Sequence, residues 1–111
     1  MTTPADDALW AAIAEPSRRR VLDLLVRGGE ATASALADEV PFTRQAVIKH
    51  LAVLEQAALV TRRREGREVL FSVDGNRLDE AARVVARVAQ NWERRLVDIK
   101  HIAEAAHRDG K

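Results

Sequence analysis

Apolar residues along this chain change their spacing twice. Up to about position 57 they recur every three or four residues, from 60 to 73 they alternate, and from 78 onward the helical spacing returns. Leu9, Trp10 and Ile13 predict a first helix over about 6–14, ended before Pro16 because proline disfavours helix in the residue preceding it. Pro16 suits the opening turn of a second helix, where its missing N–H costs nothing. Val21, Leu22, Leu24 and Leu25 give that helix its apolar stripe, and Gly28-Gly29 stop it. Thr32 is a plausible cap for a third helix with Leu36, Ala37 and Val40 facing its core. Pro41-Phe42 breaks the pattern, and Thr43 caps a fourth helix to about 57 with Val47, Leu51 and Leu54 inward. The third and fourth helices, at about 32–57, form a helix-turn-helix candidate.

Val69, Phe71 and Val73 alternate with Leu70 and Ser72, a strand signal, and Val60 to Arg64 can pair with them antiparallel. Glu65-Gly66 supplies the turn of this hairpin, at about 59–73, since glycine tolerates positive φ. The last helix is predicted over about 76–107, roughly 40–45 Å long. Leu78, Val85, Trp92, Ile99 and Ala106 repeat every seven residues along it, with Ala81, Val88, Arg95 and Ile102 as a second row that only Arg95 interrupts. So long a helix with one apolar stripe should find another helix, most simply its own copy. The expected architecture is mainly α with a small β-hairpin, one domain over 1–111.

Composition narrows the function. The 111 residues carry no cysteine, which removes disulfides, thiolate metal sites and cysteine nucleophiles. No stretch resembles a signal peptide or a membrane span, and the expected location is cytoplasmic. A net charge of +1 conceals an asymmetry. Residues 1–40 hold four arginines against seven acids, whereas 41–73 hold Arg44, Lys49, Arg62, Arg63, Arg64 and Arg67 against Glu55, Glu65 and Glu68. A locally basic middle third hints at a polyanion-binding surface.

The start of the fourth helix carries the chemistry. An α-helix fits the major groove of B-DNA, and its N-terminal residues approach base edges. Arg44, Gln45, Ile48 and Lys49 point outward there. Arginine can make two hydrogen bonds to guanine and glutamine two to adenine, Lys49 can reach a phosphate or a base, and Thr43 can donate to a phosphate. In the hairpin, Arg62, Arg63, Arg64 and Arg67 suit phosphates or a narrow minor groove. Their side chains alternate, so the four cannot point one way, and Arg63 is placed to pair with Glu68 across the strands. The alternative for this hairpin is a solvated edge protected by charge.

The run Val47-Ile48-Lys49-His50-Leu51-Ala52-Val53-Leu54, with Ala57-Ala58-Leu59-Val60 after it, resembles the ArsR (arsenic-repressor) family of winged-helix regulators. The family pattern is V-x-x-H-L-x-x-L, then A-x-L-V. Ala14-Glu15-Pro16-Ser17-Arg18-Arg19-Arg20 resembles the family's second-helix opening, and Arg64-Glu65-Gly66-Arg67 looks like its wing. The resemblance covers about residues 8–73. It implies a winged helix-turn-helix fold and a homodimer through the first and last helices, with Leu9, Trp10, Val85, Val88, Trp92 and Ile99 as contacts. It also implies repression of transcription at double-stranded DNA, commonly relieved by a metal or another signal.

This chain departs from the best-known members, whose third-helix metal sites use cysteine. Some relatives use Asp and His on the last helix, but Asp98, His101, Glu104 and His107 do not match that ligand spacing, so no metal site is assigned. Asn91-Trp92-Glu93-Arg94-Arg95-Leu96 resembles a branch without known metal ligands. His50 occupies a family position suited to packing or to a phosphate contact. Trp92 is an interface anchor, with a small-ligand contact as the alternative. The residues call for no cofactor and single out no inducer. A protein-interaction module on the same scaffold is the alternative function. An enzyme is the weakest reading, because no Ser/His/Asp set, Gly-rich phosphate loop or paired carboxylates stand in a recognisable arrangement.

Overall fold

The computed structural model describes residues 4–109. The element order is α1 (Pro4–Ala14), α2 (Pro16–Gly28), α3 (Ala33–Ala37), α4 (Arg44–Gln56), β1 (Val60–Glu65), β2 (Glu68–Val73) and α5 (Gly75–Asp109). This is a mainly helical winged helix-turn-helix with a β-hairpin. Two compact units divide near residue 79.

Caps and breakers set the boundaries in the first unit. Pro16 opens α2, and the Glu15 carboxylate accepts the Ser17 and Arg18 amides at 3.0 and 2.9 Å. These satisfy two of the donors that every helix start leaves unpaired. Gly29, at φ 78°, closes α2 by donating to the Leu25 carbonyl at 2.9 Å. Thr32 and Thr43 cap α3 and α4, their hydroxyls accepting the Ala35 and Ala46 amides at 3.1 Å each. The third helix is shorter than its pattern suggests: after Ala37 the chain passes into turns, and Ala37 and Val40 are only half-buried.

Four apolar stripes converge on one core. Leu9 and Ala12 of α1, Val21 and Leu25 of α2, Ala33 and Leu36 of α3, and Val47, Leu51 and Leu54 of α4 are all buried. Leu59, Val60 and Phe71 seal the core from the hairpin side. Helix α4 packs against α1, α2, α3 and β1, which makes it the hub of this unit.

The hairpin is antiparallel, with Val60 opposite Val73, Arg62 opposite Phe71 and Glu65 opposite Glu68. Its two-residue loop is therefore Gly66-Arg67, one position beyond the Glu65-Gly66 turn expected from sequence. Gly66 at φ 62° takes the first central position, as a II′ turn requires. A third segment joins the far edge of β2. Ala31 donates to the Phe71 carbonyl at 3.0 Å and accepts the Phe71 amide at 2.8 Å. The link before α3 thus pairs with the wing, a contact that no local pattern announces.

In the second unit, α5 continues as one helix. The full 35-residue element is about 50 Å long, longer than the sequence estimate. It starts where the Asp74 side chain accepts the Arg77 amide at 3.2 Å. Among the described residues, no helix is long and apolar enough to cross a membrane.

Among the described residues, one backbone feature is strained. Ala58, just past α4, holds φ 60°, where a Cβ costs roughly 1–2 kcal/mol and glycine is usual. Ala58→Gly should raise stability by about 0.5–1 kcal/mol after the entropy that glycine adds to the unfolded chain. Tm should rise by roughly 2–6 °C in a melt at matched protein concentration. Ala57→Gly, at an ordinary φ of −83°, should lower it. A fall in Tm for Ala58→Gly would contradict this account.

Candidate nucleic-acid interface

The inward stripe of α4 determines what its other side shows. With Val47, Leu51 and Leu54 buried, Arg44, Gln45, Ile48, Lys49 and Ala52 are exposed. Gln45, Ile48 and Lys49 stand three and four residues apart and so share a face. The Thr43 hydroxyl oxygen accepts the Ala46 amide, and the residue remains exposed at the helix start. Arg44, Gln45 and Lys49 are therefore together on the solvent side of one helix end, as their spacing suggests.

His50 is turned the other way, with a side chain only 15% exposed. Its Nε2 lies 3.7 Å from the Glu15 carboxylate, and the Phe42 ring meets it edge-on at 5.6 Å. The Ser17 amide, more than any other group, holds the Glu15 carboxyl below the usual carboxylate range, and His50 adds to the effect. This geometry is that of a packing residue joining α4 to the start of α2.

The four wing arginines divide into two pairs. Arg62 and Arg64 share the strand face that carries Phe71 and Val69, and Arg63 takes the other. Arg62 stacks over the Phe71 ring at 5.2 Å and forms a two-point ion pair with Glu55 of α4, which raises its pKa. Arg63 does not meet Glu68, which stands opposite Glu65. It makes a two-point pair with Glu30 at 2.6 and 2.7 Å and a further contact with Glu65 at 3.0 Å. The hydrogen bond from Arg63 holds the Glu30 carboxyl below its ordinary value, and the same bond raises Arg63. The expected Arg63–Glu68 pair fails because residues facing each other are set by register, while Glu30 arrives from 33 positions away.

Arg64 makes one long hydrogen bond, from Nε to the Gly66 carbonyl at 3.4 Å. Arg67 is exposed at the turn and has no ion pair among the described residues. Between α4 and the wing lies an open cleft of about 400 Å³, with Arg44, Arg62 and Arg67 on its walls and Ile48, Val69 and Phe71 in its lining.

The expected dimer contacts also divide. Leu9 is fully buried within the single chain and Trp10 is half-buried. On α5, Val85, Val88, Trp92, Leu96, Ile99 and Ile102 are 40–69% exposed. Leu96, beside Arg95, adds a further exposed apolar side chain to this face. The heptad count missed Leu96 because a straight helix drifts from a period of seven, toward 3.6 residues per turn. Among the described residues, no group of three or more His, Asp or Glu side chains is gathered to hold a metal.

Comparison with known proteins agrees with this architecture. Residues 13–63 match the model of a helix-turn-helix domain family. The transcriptional repressor SdpR of Bacillus subtilis is 32% identical over 73 residues, covering 66% of this chain and 80% of SdpR. An ArsR-like transcriptional regulator from Rhodococcus sp. RHA1 superposes with a TM-score of 0.68 at 37% identity, over 87% of this chain and 91% of that one. The homodimeric winged helix-turn-helix DNA-binding domain of Mb0332 from Mycobacterium bovis, a possible ArsR-family regulator, superposes with a TM-score of 0.62 at 27% identity. That match covers 80% of this chain and 79% of that one. The chain belongs to the ArsR family of helix-turn-helix transcriptional regulators, a family of regulators and not of enzymes.

Proposed function

We propose that this chain is a cytoplasmic repressor that binds a roughly palindromic operator in double-stranded DNA as a homodimer. The observation that carries the reading is the exposed start of α4, where Arg44, Gln45 and Lys49 stand clear of the core on a capped helix. A helix end of this kind is the part that enters the major groove in helix-turn-helix proteins. The description of SdpR as a repressor supports the sign of regulation, and the homodimeric state of the Mb0332 domain supports the assembly.

In this reading Arg44 and Gln45 read base edges, Lys49 meets a base or a phosphate, and Thr43 flanks the backbone. Arg64 and Arg67 are the phosphate contacts of the wing. Arg62 and Arg63 serve mainly to hold the wing in place, since their charges are already matched by Glu55 and Glu30. The exposed stripe of α5 pairs with its copy around Trp92, with Trp10 of α1 as a further contact. Two-fold symmetry then sets two half-sites about one helical turn of DNA apart or a multiple of it.

Four outcomes follow. In a shift assay on the region upstream of its gene, the wild-type protein should bind saturably and lose affinity steeply with salt. Arg44→Ala with Gln45→Ala should reduce the preference for operator over random DNA by about 1–3 kcal/mol per lost base contact. Full retention of that preference would refute the reader assignment. Arg67→Ala should lower the slope of log affinity against log salt by about one per protomer, while Arg63→Ala leaves the slope nearly unchanged. Equal slopes for the two variants would contradict the division of the wing. Trp92→Glu should give monomers, or an unfolded chain, in light scattering, with circular dichroism of the whole chain telling the two apart. An unchanged dimer would remove α5 from the seam.

A further inference from the structure

Large apolar side chains reach solvent in few places among the described residues. Most lie on the α5 stripe; before residue 79 they are Val26 and Ile48. Ile48 is 43% exposed, one turn beyond Arg44 and three residues beyond Gln45. Its neighbour one turn further along is Ala52, also exposed, whose side chain is a single methyl group. The exposed side of α4 is thus polar at Gln45 and Lys49, apolar at Ile48, and low at Ala52, so another surface can approach it closely.

We propose that Ile48 is a specificity residue that recognises the 5-methyl group of a thymine in each half-site. The inference rests on α4 being the DNA-reading helix. The thymine methyl is the one apolar feature that base edges present in the major groove. Against it, the branched Ile48 side chain removes apolar surface from water on both partners. Against guanine N7 and O6 or the cytosine amino group, it would cover a hydrogen-bonding edge without replacing the water that satisfies it. Ile48 therefore favours thymine both by attraction and by exclusion. Gln45 and Ile48 are separated by one helical turn, about 5–6 Å between their Cβ atoms. Base pairs rise 3.4 Å per step. The thymine lies within one or two steps of the base that Gln45 reads, which glutamine chemistry makes an adenine.

The first arm of the test changes the DNA and not the protein, so folding cannot obscure it. Duplexes are selected from a randomised library with the purified full-length protein. In the selected site, each thymine of one half-site is replaced in turn by uracil, which lacks only the methyl group. At one position, uracil should weaken wild-type binding about fourfold, the effect of one methyl group withdrawn from apolar contact. Ile48→Ala should bind the thymine and uracil duplexes equally at that position. The proposal is overturned if no uracil weakens wild-type binding, if the penalty persists in Ile48→Ala, or if the selected half-site contains no thymine near its adenine. Failure to select any duplex has a different meaning, since it overturns the DNA-reading assignment of α4 itself. Should Ile48→Ala fail to fold, Ile48→Thr takes its place: a reduced uracil penalty is expected, and an unreduced one overturns the proposal.

Discussion

Burial of Val47, Leu51 and Leu54 fixes the rotation of α4 about its own axis, and the displayed chemistry depends on that rotation. A turn of about 100°, one residue's worth, would move Gln45 or Lys49 from the outer face toward the flank. No single contact opposes such a slip; the whole set of neighbours does. Close-packed interiors tolerate little change of shape, and α4 is held by α1, α2, α3 and the first strand together. Thr43 ends the helix at a defined residue by accepting the Ala46 amide, so Arg44 and Gln45 fall in the first turn. Core packing and capping thus determine which side chains a partner would meet.

The wing is positioned by charge as well as by packing. Glu55 and Glu30 hold Arg62 and Arg63 from two directions, one from α4 and one from the link before α3. These pairs are largely exposed, and exposed ion pairs contribute little to stability. Their effect is on geometry: two-point arginine–carboxylate contacts restrict direction as well as distance. The backbone bridge between Ala31 and Phe71 acts on the same edge. Because the Arg63 hydrogen bond depresses the Glu30 carboxyl, the Glu30–Arg63 pair is fully formed above the ordinary carboxylate range. It is lost as pH falls through the depressed value. A wing restrained at its base leaves Arg64 and Arg67 to project from its far end.

What the sequence made legible was local. Period, capping and turn chemistry act over three or four residues, and they located the helices, the strand pair, the Thr32 and Thr43 caps and the buried face of α4. The exposure of Arg44, Gln45 and Lys49 followed, because a buried stripe implies its opposite. What was not legible came from residues far apart in the chain. Glu30 lies 33 positions from Arg63, and no spacing rule connects them. Arg62 and Arg63 look like free cations in a list of residues, yet tertiary folding gives each a carboxylate. His50 sits among polar outward residues in the sequence, but its step along α4 carries it to Glu15 and Phe42.

The exposed stripe of α5 connects stability with recognition. Seven large apolar side chains from Val85 to Ile102, each at least 40% exposed, would remain in contact with water in a lone chain. Helix propensity alone sustains an isolated helix poorly in water; most helical stability comes from packing an apolar face. Pairing two such stripes in the proposed dimer would therefore order the helix and join two readers in one step. The geometry of that seam would then fix the distance between recognition helices, and so the half-site spacing. Any signal that altered the packing around Trp92 would change that spacing without touching Arg44, Gln45 or Ile48. The absence of cysteine excludes a thiolate of this chain as such a signal.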